Sequence, residues 1–331
     1  MDSSALFLTS EDVADLATAS EYVDAVREAY RERGEGAPAE PRTALFGDDP
    51  PGMLTGYLAV LPETGAMGGY TYAAGFGGAD AHFVLPLFDA DSGEPLAVLD
   101  GASLNPWKTG AVGAVGVDAL AREDARSLAV FGSGAQARGQ LRAVTTVRAF
   151  EHVEVYSPTK AHRESFAAEM NGELDPTVAA VASPAAAVEG ADVVITATDA
   201  SEPVFDGDLL EDGTHVTAMG QYHPERREID ATTVARSTYV PDLLARLDRD
   251  AGAYMLALEE GAIDEEHAGA ELGDVIAGAA PGRTTDDEIT VFDSGGTAIE
   301  TVAAGHLVYE RALERGRGER IAFTPASEAF E

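Results

Sequence analysis

The chain has no cysteine. That excludes disulfides, thiolate catalysis and every zinc or iron–sulfur site built on cysteine. Lysine is almost absent too. Lys108 and Lys160 are the only two among 22 Lys+Arg, which leaves 20 arginines. Basic residues are outnumbered by 58 Asp+Glu, for a formal charge of -36. A surface of that sign repels nucleic acid and anionic lipid, so neither is expected as a partner. No uncharged apolar run reaches spanning length. The opening "MDSSALFLTSEDVADL" has Asp2 and no basic stretch, so it does not read as a secretory signal and a cytoplasmic location is expected. The seven histidines show no HExxH-like spacing. "EEHAGAE" around His267 reads as a solvated helix face, and no metal site is expected.

At 331 residues the chain is long enough for two domains with substantial cores. Hydrophobic residues make up 45%, an ordinary share for a globular protein. The acids are spread along the chain rather than gathered in a tail. Dispersed carboxylates with few lysines suit a surface that stays hydrated in concentrated salt, where self-repulsion is screened within a few Å. The expectation is a halophile's cytosolic protein, set against a merely acidic mesophilic one.

Two rhythms divide the sequence. In the first third, Thr9 to Asp12 reads as a capping box opening a short helix. Ser20 reads as the cap of a second helix, with Tyr22, Val23, Val26 and Tyr30 at helical spacing and Gly34 as its stop. Strand-like runs split by glycine follow, and Phe83 to Leu99 reads as a hairpin turning at "DADSGE". His82 lies on an apolar strand and reads as a core residue. After residue 110 short apolar strands alternate with helices: a small-residue helix in "KTGAVGAVGVDALA", a strand in "SLAVFG", then a helix from Ala135 to Ala149. That alternation means βαβ units and a parallel sheet. From about Gly252 the chain reads as helical.

"VFGSGAQARGQL" falls where the first strand–helix turn should be. Gly132, Gly134 and Ala137 fit G-x-G-x-x-G/A. The first glycine allows the tight turn and the second lets the backbone approach a pyrophosphate. The third small residue lets helix and strand pack closely. The helix start at Ala135 and Gln136 offers N–H groups to phosphate. The alternative is a glycine turn with no ligand. An NAD site would place an acid at the end of the next strand to bond the ribose 2′-OH. Here Ser157 stands there, followed by Thr159, Lys160 and Arg163. Loss of the acid admits a 2′-phosphate and nearby cations would bind it, so NADP(H) is favoured over NAD(H). Lys160 otherwise reads as a surface lysine on the next helix.

The sequence resembles the ornithine cyclodeaminase/mu-crystallin family, which includes archaeal-type alanine dehydrogenases and cyclic ketimine reductases. The likeness covers nearly the whole chain. It is carried by "PLFDADSGEPLAVLDG" followed by "KTGAVGAVG", and by "GSGAQA", "GADVVITATDASEPVF" and "GTHVTAMGQYHPERREID". It ends in "AELGDVIAGAAPGRTTDDEITVFDSGGTAIE". The resemblance implies a Rossmann domain, residues 113–302, inserted into a strand-rich α+β substrate-binding and dimerisation domain, residues 1–112 plus 303–331. It implies a homodimer, a substrate site between the domains, and cofactor contacts at Thr109, Thr198, Gly220 and Ser294.

The resemblance also implies site residues, several of them altered. Arg42 in "AEPRTAL" matches the arginine that binds the substrate carboxylate. Tyr70 or Thr71 stands where the family has a lysine. Lys108 replaces the arginine of an Arg-Thr-Ala run, and Tyr222 replaces the cyclodeaminase aspartate. What remains is a carboxylate clamp from Arg42 and Lys108 with hydroxyls at Tyr70 and Tyr222. Lys108 is the candidate proton donor, and His223 a second candidate for proton transfer. Lys108 reads alternatively as a structural lysine pairing an acid. Trp107 reads as core or cleft wall.

Three functions stay open. The leading one is an NADP(H)-dependent oxidoreductase acting on the C–N bond of a small amino or imino acid, reducing a ketimine or aminating a 2-oxo acid, as a ketimine reductase or an alanine dehydrogenase does. The second is an ornithine cyclodeaminase, and the third a non-catalytic, mu-crystallin-like NADP-dependent binding protein.

Overall fold

The computed structural model describes residues 3–78 and 80–328. The chain forms two compact units, Met1–Lys108 with Thr297–Glu331, and Thr109–Gly296. The first unit is thus assembled from both chain ends. The divisions fall slightly ahead of the 112 and 302 read from the sequence.

The first unit is built on a nine-stranded sheet. Its main path runs Glu319–Phe323, Ser3–Leu8, Pro95–Asp100, His82–Asp89, Thr71–Gly75, Pro51–Gly56, Thr43–Asp48. The hairpin His82–Asp89/Pro95–Asp100 is antiparallel, as the "DADSGE" turn requires. Asp89 caps that turn by accepting hydrogen bonds from the Asp91 and Ser92 amides. Two helices, Ala19–Gly34 and Ala298–Arg315, pack together, and the second also lies on the sheet. Val23, Val26, Leu85, Leu87, Ile299 and Val302 are buried in this layer. The long C-terminal helix starts at a capping box of Thr297 and Glu300 and stops at Gly316 in the left-handed conformation.

The second unit holds a seven-stranded sheet, parallel throughout. Its order is Thr177–Ala180, His152–Tyr156, Ser127–Phe131, Val193–Thr196, His215–Ala218, Ile289–Asp293, Ser237–Pro241. The first strand in sequence, Ser127–Phe131, lies inside the sheet with the chain winding outward on both sides. That is a topological switch point, and ligands of such sheets bind at the carboxyl ends of the strands there. Strand residues buried on both faces explain the unbroken apolar runs "VVIT" and "ITVFD". The helix Asn105–Leu120 carries its small residues for close packing. A side chain at Gly113 would collide with the Gln140 amide, whose Nε2 donates 2.7 Å to Thr109 O.

Several details differ from the sequence reading. The second helix is capped by Thr18, not Ser20, through a box with Glu21. The helix from Ala135 ends at Val144. There the Thr145 and Thr146 hydroxyls bond Arg142 O and Ala143 O, local bonds that compete with the helical ladder. His82 is exposed, on the outward face of its strand. His267 lies in a loop, with Nε2 2.8 Å from Val234 O, rather than on a solvated helix. The strands Ser3–Leu8, Ile289–Asp293 and Glu319–Phe323 escaped periodicity, the middle one because it sits in a stretch read as helical.

Candidate active site

The glycine turn joins Ser127–Phe131 to the helix Ala135–Val144. Gly132 has φ +113°, and a Cβ there would meet Ala197 O at 2.3 Å. Gly134 is the helix N-cap, with no side-chain capping bond. A Cβ on Gly134 would meet nothing within 4 Å. The helix start is therefore open, with Gly134 and Ala135 exposed and Ala137 packed against the sheet. Arg138 braces the turn, donating through Nη1 to Ser133 O and Gly134 O while Glu169 holds its Nε and Nη2. The Gln136 Oε1 is buried with no hydrogen-bond partner among the described residues. An open cradle, a free helix start and an orphaned polar atom fit a pyrophosphate.

The neighbouring strand ends at Tyr156, and Ser157 is only 6% exposed. The Ser133 hydroxyl donates to Ser157 Oγ at 3.1 Å, so two hydroxyls meet where an acid would sit in an NAD site. Arg163 donates through Nη1 to Ser157 O at 2.9 Å, with its guanidinium over the Tyr156 ring. Thr159 stands at the N-cap of the next helix without a side-chain capping bond. Lys160 begins that helix, 75% exposed and 3.6 Å from Glu164.

Thr198, Gly220 and Ser294 lie just past the carboxyl ends of three adjacent strands. A residue the sequence reading missed ties two of them together. Glu228 is 2% exposed. It accepts hydrogen bonds from the Thr198 amide and hydroxyl at 2.7 Å each, the Gly220 amide at 2.6 Å and the Thr196 hydroxyl at 3.0 Å. Burial raises its pKa, against the opposing pull of those four donors. Tyr222 and His223 follow on the same loop. Tyr222 is 38% exposed, and His223 Nδ1 accepts from the Glu225 amide at 3.2 Å.

In the first unit the structure gathers Arg42, Lys108 and Tyr70 around a fourth residue, Tyr57. The Arg42 guanidinium lies 5.4 Å from the Tyr57 ring centre. Lys108 Nζ lies 5.9 Å from the same ring and 5.5 Å from that of Tyr70. Lys108 is 2% exposed and pairs with Glu300, Nζ to Oε1, at 3.3 Å. Glu300 also accepts from the Thr297 amide at 2.6 Å and the Tyr30 hydroxyl at 3.2 Å, so the carboxylate is saturated. Burial works against the ammonium, but Tyr57 and Glu300 outweigh it and the Lys108 pKa is raised. Lys108 is therefore a held cation, not a free base. Tyr70 is fully buried and donates to Gly101 O at 3.0 Å. Burial pushes its pKa well above the usual range, so the phenol stays protonated as a wall beneath the ammonium. Thr71, its alternate for the family lysine, is exposed. Trp107 stacks on Tyr22 with ring centres 5.8 Å apart. Glu300 was legible as the end of "TAIE", a capping-box pattern; nothing in "TGYLAV" marks Tyr57.

Among the described residues no group of three or more His, Asp or Glu could hold a metal ion, and no helix is long and apolar enough to cross a membrane.

A parallel sheet with a glycine turn at its switch point defines a doubly wound, Rossmann-type α/β protein. The chain belongs to the ornithine cyclodeaminase/mu-crystallin family, whose model matches residues 3–316. It is 36% identical to a Delta(1)-pyrroline-2-carboxylate reductase of Bacillus cereus over 242 residues, 72% of this chain and 74% of that one. Among solved structures it is similar to Thermococcus litoralis Delta(1)-pyrroline-2-carboxylate reductase in complex with NADH and L-proline. That match has a TM-score of 0.90 and 33% identity, over 96% of this chain and 100% of that chain. It is equally close in fold to an archaeal alanine dehydrogenase dimer with bound NAD, with a TM-score of 0.90 and 30% identity, covering 97% and 100%.

Proposed function

We propose that this protein is an NADP(H)-dependent oxidoreductase acting on the C–N bond of a small amino or imino acid, reducing a ketimine or aminating a 2-oxo acid. The observation that carries the substrate side is the cation pair Arg42 and Lys108 flanking the Tyr57 ring. Such a pair binds a carboxylate and stabilises developing negative charge in a desolvated setting. Reductases of this substrate class and an alanine dehydrogenase are among its relatives.

When bound, the dinucleotide supplies or accepts the hydride at the substrate α-carbon. Gly132, Gly134, Ala135, Gln136 and Ala137 would hold its pyrophosphate, with Thr109, Thr198, Gly220 and Ser294 as further contacts. Ser157, Thr159, Lys160 and Arg163 would receive a 2′-phosphate. The hydroxyl pair Ser133/Ser157 in place of an acid supports NADP(H), although the two solved relatives carry NADH and NAD. In the first unit, Arg42 and Lys108 bind the substrate carboxylate. Lys108 keeps a proton at Nζ, held by Glu300, for the substrate nitrogen. Tyr57 and Tyr70 exclude water around that ammonium. Tyr222 puts a phenol where the cyclodeaminase reading needs a carboxylate for a distal ammonium, which disfavours ornithine.

The first unit also supports a homodimer. The registers place Thr43, Leu45, Leu54, Thr71, Ala73, His82, Val84 and Phe88 on one face of its sheet. Across the strands Thr43–Asp48, Pro51–Gly56, Thr71–Gly75 and His82–Asp89 that face carries no Asp, Glu, Lys or Arg in a chain that is 24% charged, and Leu45 and Val84 are 65% and 48% exposed. Charge returns at Asp100, paired with Val84. The acidic, lysine-poor composition is read as adaptation to a salt-rich cytoplasm.

The test is oxidation of NADPH, followed by absorbance in molar KCl, with pyrroline-2-carboxylate, and in parallel with pyruvate plus ammonia. Turnover with either supports the oxidoreductase. Ammonia release from ornithine would select the cyclodeaminase instead. Tight NADPH binding with no turnover of any substrate would select the binding protein.

A further inference from the structure

The strand Ile289–Asp293 ends on a buried ionic cage. At its centre is Arg246, 1% exposed. Its Nη1 donates to Asp242 Oδ1 and its Nε to Asp250 Oδ1, each at 2.6 Å. Asp293 Oδ1 lies 4.0 Å from Nη1, and the Tyr239 hydroxyl donates to the other oxygen of Asp293. The loop that follows the strand is laid onto this cage. The Asp242 amide donates to Asp293 O at 2.9 Å, and the Gly296 amide donates to Asp242 Oδ2 at 2.9 Å. Between them, a Cβ on Gly295 would lie 2.1 Å from the guanidinium carbon. Glycine is therefore the residue that lets the backbone rest on the arginine.

A buried ion pair is a weak device for stability alone, because desolvation offsets most of the attraction. Its attested use is to fix one geometry. The residue fixed here is Ser294. Its amide donates to Ala218 O at 2.9 Å, and it is 1% exposed. Its hydroxyl has no hydrogen-bond partner among the described residues. A buried hydroxyl without a partner is costly unless a ligand supplies one. Ser294 stands at the carboxyl end of a strand on the far side of the switch point from His152–Tyr156 and its adenosine-side turn. In a doubly wound sheet that half receives the second nucleotide.

We infer that Arg246 is a positioning residue: with Asp242 it sets the 293–296 loop so that the Ser294 hydroxyl bonds the nicotinamide half of the dinucleotide. The inference rests on the dinucleotide site proposed above. It assigns Arg246 no contact with substrate or cofactor.

The experiment is a binding cycle in molar KCl, with folding of each variant checked by its melting transition. Affinities for NADPH and for the adenosine fragment 2′,5′-ADP are measured for wild type, Ser294→Ala, Arg246→Lys and the double variant. Each single variant is expected to weaken NADPH by about tenfold and 2′,5′-ADP by less than about twofold. The double variant should lose no more than Ser294→Ala alone, because Arg246 acts through that hydroxyl. If Arg246→Lys does not fold, Gly295→Ala takes its place, lifting the loop while leaving every ionic group. Unchanged NADPH affinity, equal losses of NADPH and 2′,5′-ADP, or additive losses would each overturn the inference. A wild type that prefers NADH sinks only the NADP choice, and the same cycle then runs with NADH and AMP. A folded wild type that binds neither dinucleotide sinks the cofactor reading and this inference together.

Discussion

Lys108 and Glu300 form a buried ion pair, Nζ to Oε1 at 3.3 Å, with side chains 3% and 0% exposed. Burial alone would strip the proton from a lysine. Tyr57 and Glu300, the latter held by the Thr297 amide and the Tyr30 hydroxyl, together reverse that, and Glu300 is the partner that bonds the ammonium. Removing its charge should therefore move the proton. In Glu300→Gln the Lys108 pKa is expected to fall, so an activity that needs the ammonium should be lost at lower pH than in wild type. The alkaline limb of the pH–rate profile is the measurement. Stability should fall as well, by roughly 3–5 kcal/mol, since a buried charge is left without its partner. An alkaline limb that does not move would separate Lys108 protonation from catalysis.

In the proposed cofactor site, Ser157 is the residue that sets the choice between NADP(H) and NAD(H). Ser157→Asp restores an acid at the strand end, which bonds a ribose 2′-OH and repels a 2′-phosphate. The kcat/KM with NADPH should drop by about tenfold or more while that with NADH rises. Steady-state kinetics with both cofactors reads the exchange. Equal losses with both would place Ser157 outside the 2′ site.

His215 predicts an acid sensitivity of the second unit. It is fully buried between the Thr290 and Thr217 hydroxyls, at 2.9 and 3.0 Å. Burial, with Arg283 and Arg148 nearby, lowers its pKa from 6.5 to about 3. The unfolded chain thus binds a proton below pH 6.5 that the folded chain refuses, so stability falls as pH drops through the window from about 6.5 to about 3. The full effect is on the order of 5 kcal/mol. His215→Asn should be less stable than wild type at pH 7, and the difference should shrink towards pH 4.5. Urea unfolding in high salt at the two pH values measures it, and a constant difference would contradict it.

The uncharged part of the first unit's sheet face, on the strands from Thr43 to Asp89, is the proposed dimer interface. Leu45→Asp, on the edge strand Thr43–Asp48, should convert a dimer to a monomer in light scattering without changing the melting of the isolated chain's core. A dimer that survives the substitution would place the interface elsewhere.

The βαβ rhythm and the glycine turn were legible because each follows from local chemistry: apolar strands, a positive-φ glycine and a small residue where helix meets strand. Arg42, Lys108 and Tyr70 were legible as positions, but not their company. Tyr57 lies far from Lys108 in sequence, and no pattern links them. Glu300 was readable as a helix cap, yet its second task, holding Lys108, depends on where the C-terminal helix returns to the first sheet. Glu228 and Arg246 were invisible for the same reason: buried charges are defined by partners from several strand ends. Their residue type alone suggested solvent.

The role of Lys108 is tested by Lys108→Ala assayed in two ways on one preparation, with wild type alongside. NADPH binding, followed by cofactor fluorescence, should persist while reduction of pyrroline-2-carboxylate is abolished. Turnover retained in the variant would contradict that role and leave Lys108 as a structural cation paired with Glu300.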